Sequence, residues 1–220
     1  MTQVGMILSG CGVMDGSEIH EATLSILYLD KEEADIHFFA PDKQQRDVID
    51  HFGQSPMEEK RNVLKESARI ARGNIKPLSE INLDELDAIV LPGGFGAAKN
   101  LCSYAVDGPD CTIDQEVSET IQKALGKGKV IGCMCIAPVL VARALKDTGA
   151  NPKLTIGTDE KTMQHLKDLG AEPVQATVFE AVTDEKNKIV STPAYMLGSR
   201  ISDIAEGIEK LVKKVIELCG

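Results

Sequence analysis

The sequence predicts an α/β protein with a mainly parallel sheet and helices on both faces. Two features carry this expectation. Short apolar runs alternate with stretches of helical periodicity along the chain, and several of the runs end in Gly- or Pro-rich turns. Residues 4–8 (VGMIL) have the near-continuous apolarity of a strand buried on both faces. After the turn 9–16, Ile19, Ala22, Ile26 and Leu29 recur at helical spacing and predict a helix over 18–29. Residues 36–40 read as the second strand, closed by Pro41-Asp42, and 63–71 as a helix that stops before Gly73. A third strand over 86–91 runs into Pro92-Gly93-Gly94. A helix over 113–125 ends at Gly126, followed by a strand over 129–133 and a helix over 138–145. The last third holds a strand at 154–156, a helix over 162–169, a hairpin of 178–182 with 188–191, and an amphipathic helix over 201–218. No repeat, low-complexity segment or linker interrupts this order, so 1–220 reads as one domain.

Hydrophobic residues make up 43% of the chain and charged residues 26%, which is ordinary globular usage. The formal charge of −10 repels phosphate backbones and anionic lipid, so neither nucleic acid nor a membrane is an expected partner. No stretch approaches the roughly 20 apolar residues that span a bilayer. The N-terminal MTQVGMILSG has no basic n-region, and the expected location is cytoplasmic, or mitochondrial if a presequence has been removed. The six cysteines are too sparse for a disulfide scaffold and lack the paired knuckles of a zinc site, so reduced thiols and no metal are expected.

In α/β sheets, sites form beyond the carboxyl ends of the strands. Three informative loops fall there: 9–16, 92–100 and 134–138. In the last, a strand enters, a helix leaves, and Cys135 sits at the junction. Such an elbow exposes a side chain next to a helix N-terminus, which favours a depressed thiol pKa and a nucleophilic role. The other reading is a small buried hydrophobe. For Cys133, inside the strand, that core reading is the expected one, and on a regular strand its C-x-C spacing would put it on the same face as Cys135. The glycines of Pro92-Gly93-Gly94-Phe95-Gly96 let backbone amides approach a ligand, and with the amide after the nucleophile could form an oxyanion hole. Gly10-Cys11-Gly12 is no dinucleotide fingerprint, because Asp15 stands where the third glycine belongs, and no cofactor is expected. Glu18 starts the first helix. It reads either as a carboxyl partner of the thiol or as part of a cap with Asp15. His20, two residues on, points to a different helix face.

The run from Leu8 to Glu21 (LSGCGVMDGSEIHE) resembles the opening of the ElbB-like family, as do APDK (40–43), RNVL (61–64), PGGFGAAKN (92–100), MCIAP (134–138) and STPAYM (191–196). This family lies within the DJ-1/PfpI superfamily, and the resemblance covers essentially the whole chain. It implies a flavodoxin-like three-layer sandwich of the class I glutamine amidotransferase-like type. It further implies Cys135 as nucleophile, Glu18 as the carboxyl contacting it, and Gly93 and Gly94 as the oxyanion turn; in the mechanism expected here the Ile136 amide joins Gly94 on the oxyanion and His20 accompanies Glu18 in proton transfer. The implied activity is glutathione-independent conversion of glyoxal to glycolate, a lyase-type reaction on a small carbonyl substrate, by a homodimer. Bacterial members are linked to isoprenoid biosynthesis. Alternatives are a non-catalytic thiol redox sensor or an accessory protein. Ile136 stands where the protease-like branch has histidine, which argues against amide cleavage.

Overall fold

The computed structural model describes residues 1–220. Seven strands form one sheet: β1 (Gln3–Ile7), β2 (Asp35–Ala40), β5 (Lys76–Pro77), β6 (Ala88–Leu91), β7 (Val130–Met134), β10 (Val182–Asp184) and β11 (Ile189–Thr192). Their order across the sheet is β10-β11-β7-β6-β1-β2-β5. All pairings are parallel except β10 with β11, a hairpin whose first strand was expected at 178–182 and instead starts at Val182, after a turn at 178–179. Two short pairs lie outside it: β3 (Ile49–Asp50) with β4 (Ser55–Pro56), and β8 (Lys153–Leu154) with β9 (Glu172–Pro173).

The helices are α1 (Ile19–Lys31), α2 (Val63–Ile70), α3 (Phe95–Lys99), α4 (Tyr104–Asp107), α5 (Gln115–Gly126), α6 (Ala137–Leu145), α7 (Glu160–Asp168) and α8 (Ile201–Cys219). Strand alternation sorts the core into two clusters. Val4, Met6, Val90 and Met134 face one side with Ile208 and Leu211 of α8, while Ile7, Ile89, Leu91 and Ile131 face the other with Val117 of α5 and Leu140 of α6. A Cβ on Gly132 in β7 would lie 3.1 Å from Val215, so the missing side chain lets α8 sit close to the sheet.

The main strands and longer helices fall where the periodicity predicts them, within a few residues. The short pieces β3, β4, β5, α3 and α4 were not expected; at two to five residues each they are too brief to display a period. The strand expected at 154–156 pairs only over 153–154 and stays off the main sheet.

Candidate active site

The loops after β1, β6 and β7 meet at the centre of the sheet's carboxyl edge. Backbone bonds stitch them: Glu18 N–H donates to the Gly93 carbonyl at 3.0 Å, and Phe95 N–H to that of Val13 at 2.7 Å. Buried Asn100 ties both ends of the first loop, its amide donating to the carbonyls of Ser9 at 2.9 Å and Asp15 at 2.8 Å.

Cys135 occupies the turn between β7 and α6 with φ +59°, a left-handed conformation that costs a residue with a Cβ roughly 1–2 kcal/mol. Its amide donates to the Thr192 carbonyl at 3.0 Å, which holds the turn. The kink also separates the C-x-C pair. Cys133 packs in the α5–α6 core, whereas Cys135 lies in the cluster on the opposite side of the sheet, so the shared face expected of a regular strand is lost at the turn.

The thiol's carboxyl partner is Glu21, one turn after the expected Glu18. The Cys135 thiol lies beside the Glu21 carboxylate: the Cβ site of Gly93 is 3.0 Å from Cys135 Sγ and 2.7 Å from Glu21 Oε2. Glu21 is fully buried and also accepts from the amides of Gly93 at 2.9 Å and Tyr195 at 3.2 Å. Burial, with the negative charge of Glu18 second, raises its pKa to about 7. Glu18 is instead the N-cap of α1, its Oε2 accepting from the Glu21 amide at 2.7 Å. The Asp15 carboxylate, the other half of the expected cap, accepts from Ile49 N–H at 2.8 Å. Glu18 still lines the pocket in front of Cys135, so it acts on the thiol's surroundings through Glu21. Glu21 had one sequence signal: it shares the buried face of α1 with Ala22, Ser25 and Leu29. The stripe read from Ile19 and Ile26 lies askew of that face, and Ile19 is 44% exposed.

The two expected amides sort differently from Gly93. Those of Gly94 and Ile136 point at the Cys135 sulfur, while that of Gly93 is spent on Glu21. Both glycines are sterically required. A Cβ on Gly93 would lie 2.5 Å from Cys135 Cβ, and Gly94 has φ +92° with its Cβ site 2.4 Å from Glu18 N. The depressed thiol pKa expected at the helix N-terminus is not found. Burial, then the Glu21 charge, push Cys135 well up, outweighing the amides of Gly94 and Ile136. His20 is exposed and does not line the pocket; its Nδ1 hydrogen-bonds the Tyr195 hydroxyl, which does, at 2.7 Å. No histidine lines the pocket, and no group of metal-ligating side chains occurs.

The pocket has a volume of about 290 Å³. Phe95, Ala98, Tyr104, Ile136, Tyr195 and Met196 supply most of a largely apolar wall, and Glu18 is its one charged residue.

No family model matches the chain. It is 46% identical over 228 residues to the mitochondrial ES1 protein homolog of Rattus norvegicus, covering 99% of this chain and 84% of that one. It is 45% identical, over the same shares, to the human mitochondrial glutamine amidotransferase-like class 1 domain-containing protein 3. The chain belongs to this ES1, glutamine amidotransferase-like class 1 family. A crystal structure of an isoprenoid biosynthesis protein with an amidotransferase-like domain from Ehrlichia chaffeensis superposes with a TM-score of 0.91 at 36% identity, over 98% of this chain and 99% of that one. The family resemblance and fold class expected from the sequence therefore hold. Drosophila melanogaster DJ-1beta, at 16% identity and a TM-score of 0.55 over 99% and 95% of the two chains, shares the fold. The ES1 relatives are mitochondrial by name, and no helix of this chain is long and apolar enough to cross a membrane.

Proposed function

We propose that the chain is a glutathione-independent glyoxalase in which Cys135 and Glu21 act as one proton-sharing pair. The observation that carries this is a fully buried carboxyl set beside an elbow thiol, with burial raising the carboxyl's pKa to about 7. A general base works best when its pKa lies near the working pH. The thiol is held protonated, so the nucleophile forms as the proton passes from sulfur to Glu21 during attack on an aldehyde carbon. Amides at Gly94 and Ile136 face the reacting sulfur and would steady the oxyanion; one such donor is typically worth ~3 kcal/mol. Glu21 returns the proton to that oxygen, giving a hemithioacetal. It then removes the hydrogen from the sulfur-bearing carbon, and the neighbouring carbonyl oxygen is protonated to an enediol. Reprotonation at the second carbon leaves a thioester, which water hydrolyses to the hydroxy acid and free thiol. Glyoxal plus water thus becomes glycolate, with no redox partner. A pocket without a cationic side chain suits an uncharged dicarbonyl better than a phosphorylated or carboxylated substrate.

Amide cleavage is less well supported, because no histidine stands beside the thiol to protonate a leaving amine. A sensor role for Cys135 is disfavoured by the raised pKa of its thiol, which leaves little of the oxidisable thiolate. The proposed assembly is a homodimer, and the proposed compartment is the cytoplasm or, as the relatives' names indicate for them, the mitochondrion. The test is steady-state glyoxal consumption with glycolate quantified, for wild type and Cys135→Ala. Stoichiometric glycolate that is lost in the variant supports the proposal; consumption unchanged in the variant refutes it.

A further inference from the structure

A second group of cysteines lies across the sheet from Cys135. Cys102 follows α3 and belongs to the α5–α6 core, and Cys111 precedes α5; they are 7% and 1% exposed. The segments carrying them run antiparallel. Cys102 bridges to Ile113, Ser103 N–H donates to the Thr112 carbonyl at 3.0 Å, and Thr112 N–H donates to Ser103 Oγ at 2.9 Å. This pairing places Cys102 and Cys111 as diagonal neighbours on one face of the two segments, both turned into the interior. Cys102 Sγ also has the Ala97 carbonyl as an acceptor at 3.4 Å and receives Tyr104 N–H at 3.4 Å. Asp110 and Thr112, flanking Cys111, are exposed, so its side chain is turned inward from a surface loop.

The two sulfurs are not equivalent. The neighbouring Cys102 thiol, then the positive charge of Arg143, lower the Cys111 pKa. Arg143 is fixed there by Nε donating to the Cys111 carbonyl at 2.7 Å. Cys102 is pushed strongly up by the neighbouring Cys111 and by burial, and keeps its proton. An activated thiolate beside a protonated neighbour is the arrangement of a peroxidatic and a resolving cysteine.

We propose that Cys102 and Cys111 form an oxidisable dithiol whose oxidant is hydrogen peroxide. The Cys111 thiolate attacks one peroxide oxygen. An S–O bond forms, the O–O bond breaks, and hydroxide leaves as water on protonation. Cys102 sulfur then attacks the sulfenic sulfur, the S–O bond breaks, and a second water departs. Two thiols and one peroxide become one disulfide and two waters. The bridge closes the loop 103–110, which carries Tyr104 and Ala105 of the Cys135 pocket wall, so the modification falls on the same segment that shapes the site.

The experiment uses the full-length protein. It is treated with low equivalents of peroxide, blocked with iodoacetamide and digested with trypsin. Cleavage after Lys99 and Lys123 releases Cys102 and Cys111 in one peptide, while Cys133 and Cys135 leave together in the peptide ending at Arg143. The expected result is a 100–123 peptide lacking two hydrogens and carrying no alkyl group, restored to two alkyl groups by prior reduction. It should form equally in Cys135→Ala. In Cys102→Ser, Cys111 should stop at a sulfenic acid that dimedone traps. Two alkyl groups on 100–123 at a peroxide dose that already oxidises Cys135 would overturn the proposal. So would sulfinic acid at Cys111 of the wild type without any bridged peptide.

Discussion

Cys135 and Cys111 are both buried cysteines on loops, and their thiols are pushed in opposite directions. Cys135 faces a carboxylate, Glu21, that accepts its proton and adds negative charge, so the thiol stays protonated until a reaction draws the proton away. Cys111 has the Cys102 thiol and the Arg143 guanidinium beside it, which favour its thiolate. Burial raises both. What separates them is the sign of the nearest full charge. The first arrangement suits reversible addition to a carbonyl with proton return, and the second suits irreversible loss of hydroxide from a peroxide. Burial alone would have assigned both the same chemistry.

The largest effect that can break this contrast is at the elbow. Cys135→Ala should remove glyoxal turnover by at least about a thousand-fold, since no other side chain can form the covalent intermediate. Circular dichroism should be unchanged, because the truncation relieves rather than adds crowding. Gly93→Ala comes next. A Cβ there lies 2.5 Å from Cys135 Cβ and 2.7 Å from Glu21 Oε2, so the pair must separate. Turnover should fall with the thiol–carboxyl contact, and thermal unfolding should show a loss of roughly 1–3 kcal/mol from overpacking.

Glu21→Gln tests the partner directly. It removes the group that takes the thiol proton, and kcat should fall by roughly a hundred- to ten-thousand-fold. Wild-type activity should rise with pH through about 7, as Glu21 ionises, and the variant should lack that inflection. Stability moves the other way. Burial raises the Glu21 pKa above its ordinary 4.5, so the folded state holds a proton that the unfolded state releases first. Wild-type stability therefore declines as pH rises from about 4.5 to about 7, by about 3 kcal/mol for this group. In the variant that decline should be absent, so any stability advantage of wild type at pH 5 should shrink by pH 8 in paired melts.

Glu18→Gln should do less. The amide oxygen can still cap α1, while the lost charge lets the Glu21 pKa fall. The activity inflection should shift to lower pH with a kcat loss under about tenfold.

The sequence made the frame legible because the buried parallel strands are continuous apolar runs, and the elbow legible because a strand meets a helix with one cysteine between them. Cys135, Gly94 and Ile136, singled out from the sequence, line one pocket in the fold. The carboxyl partner was harder. Glu18 and Glu21 are three residues apart on the same helical face, and which of them reaches the thiol depends on where α1 begins. With Glu18 as N-cap, its side chain turns to the helix's own amides and Glu21 points into the core. The N-cap can be identified only to within a residue or two from sequence. The Cys102–Cys111 contact was not legible at all, because it depends on the antiparallel pairing of 102–103 with 112–113, too short to leave a period.

The central claim is that Glu21, not Glu18, carries the proton of Cys135. It is tested most directly by kcat for glyoxal across pH 5 to 9 in wild type, Glu21→Gln and Glu18→Gln, measured side by side. The expected result is a loss of at least about a hundred-fold with no inflection near 7 in Glu21→Gln, against a shifted inflection and a modest loss in Glu18→Gln. The reverse ranking, or an inflection near 7 that survives in Glu21→Gln, would contradict it.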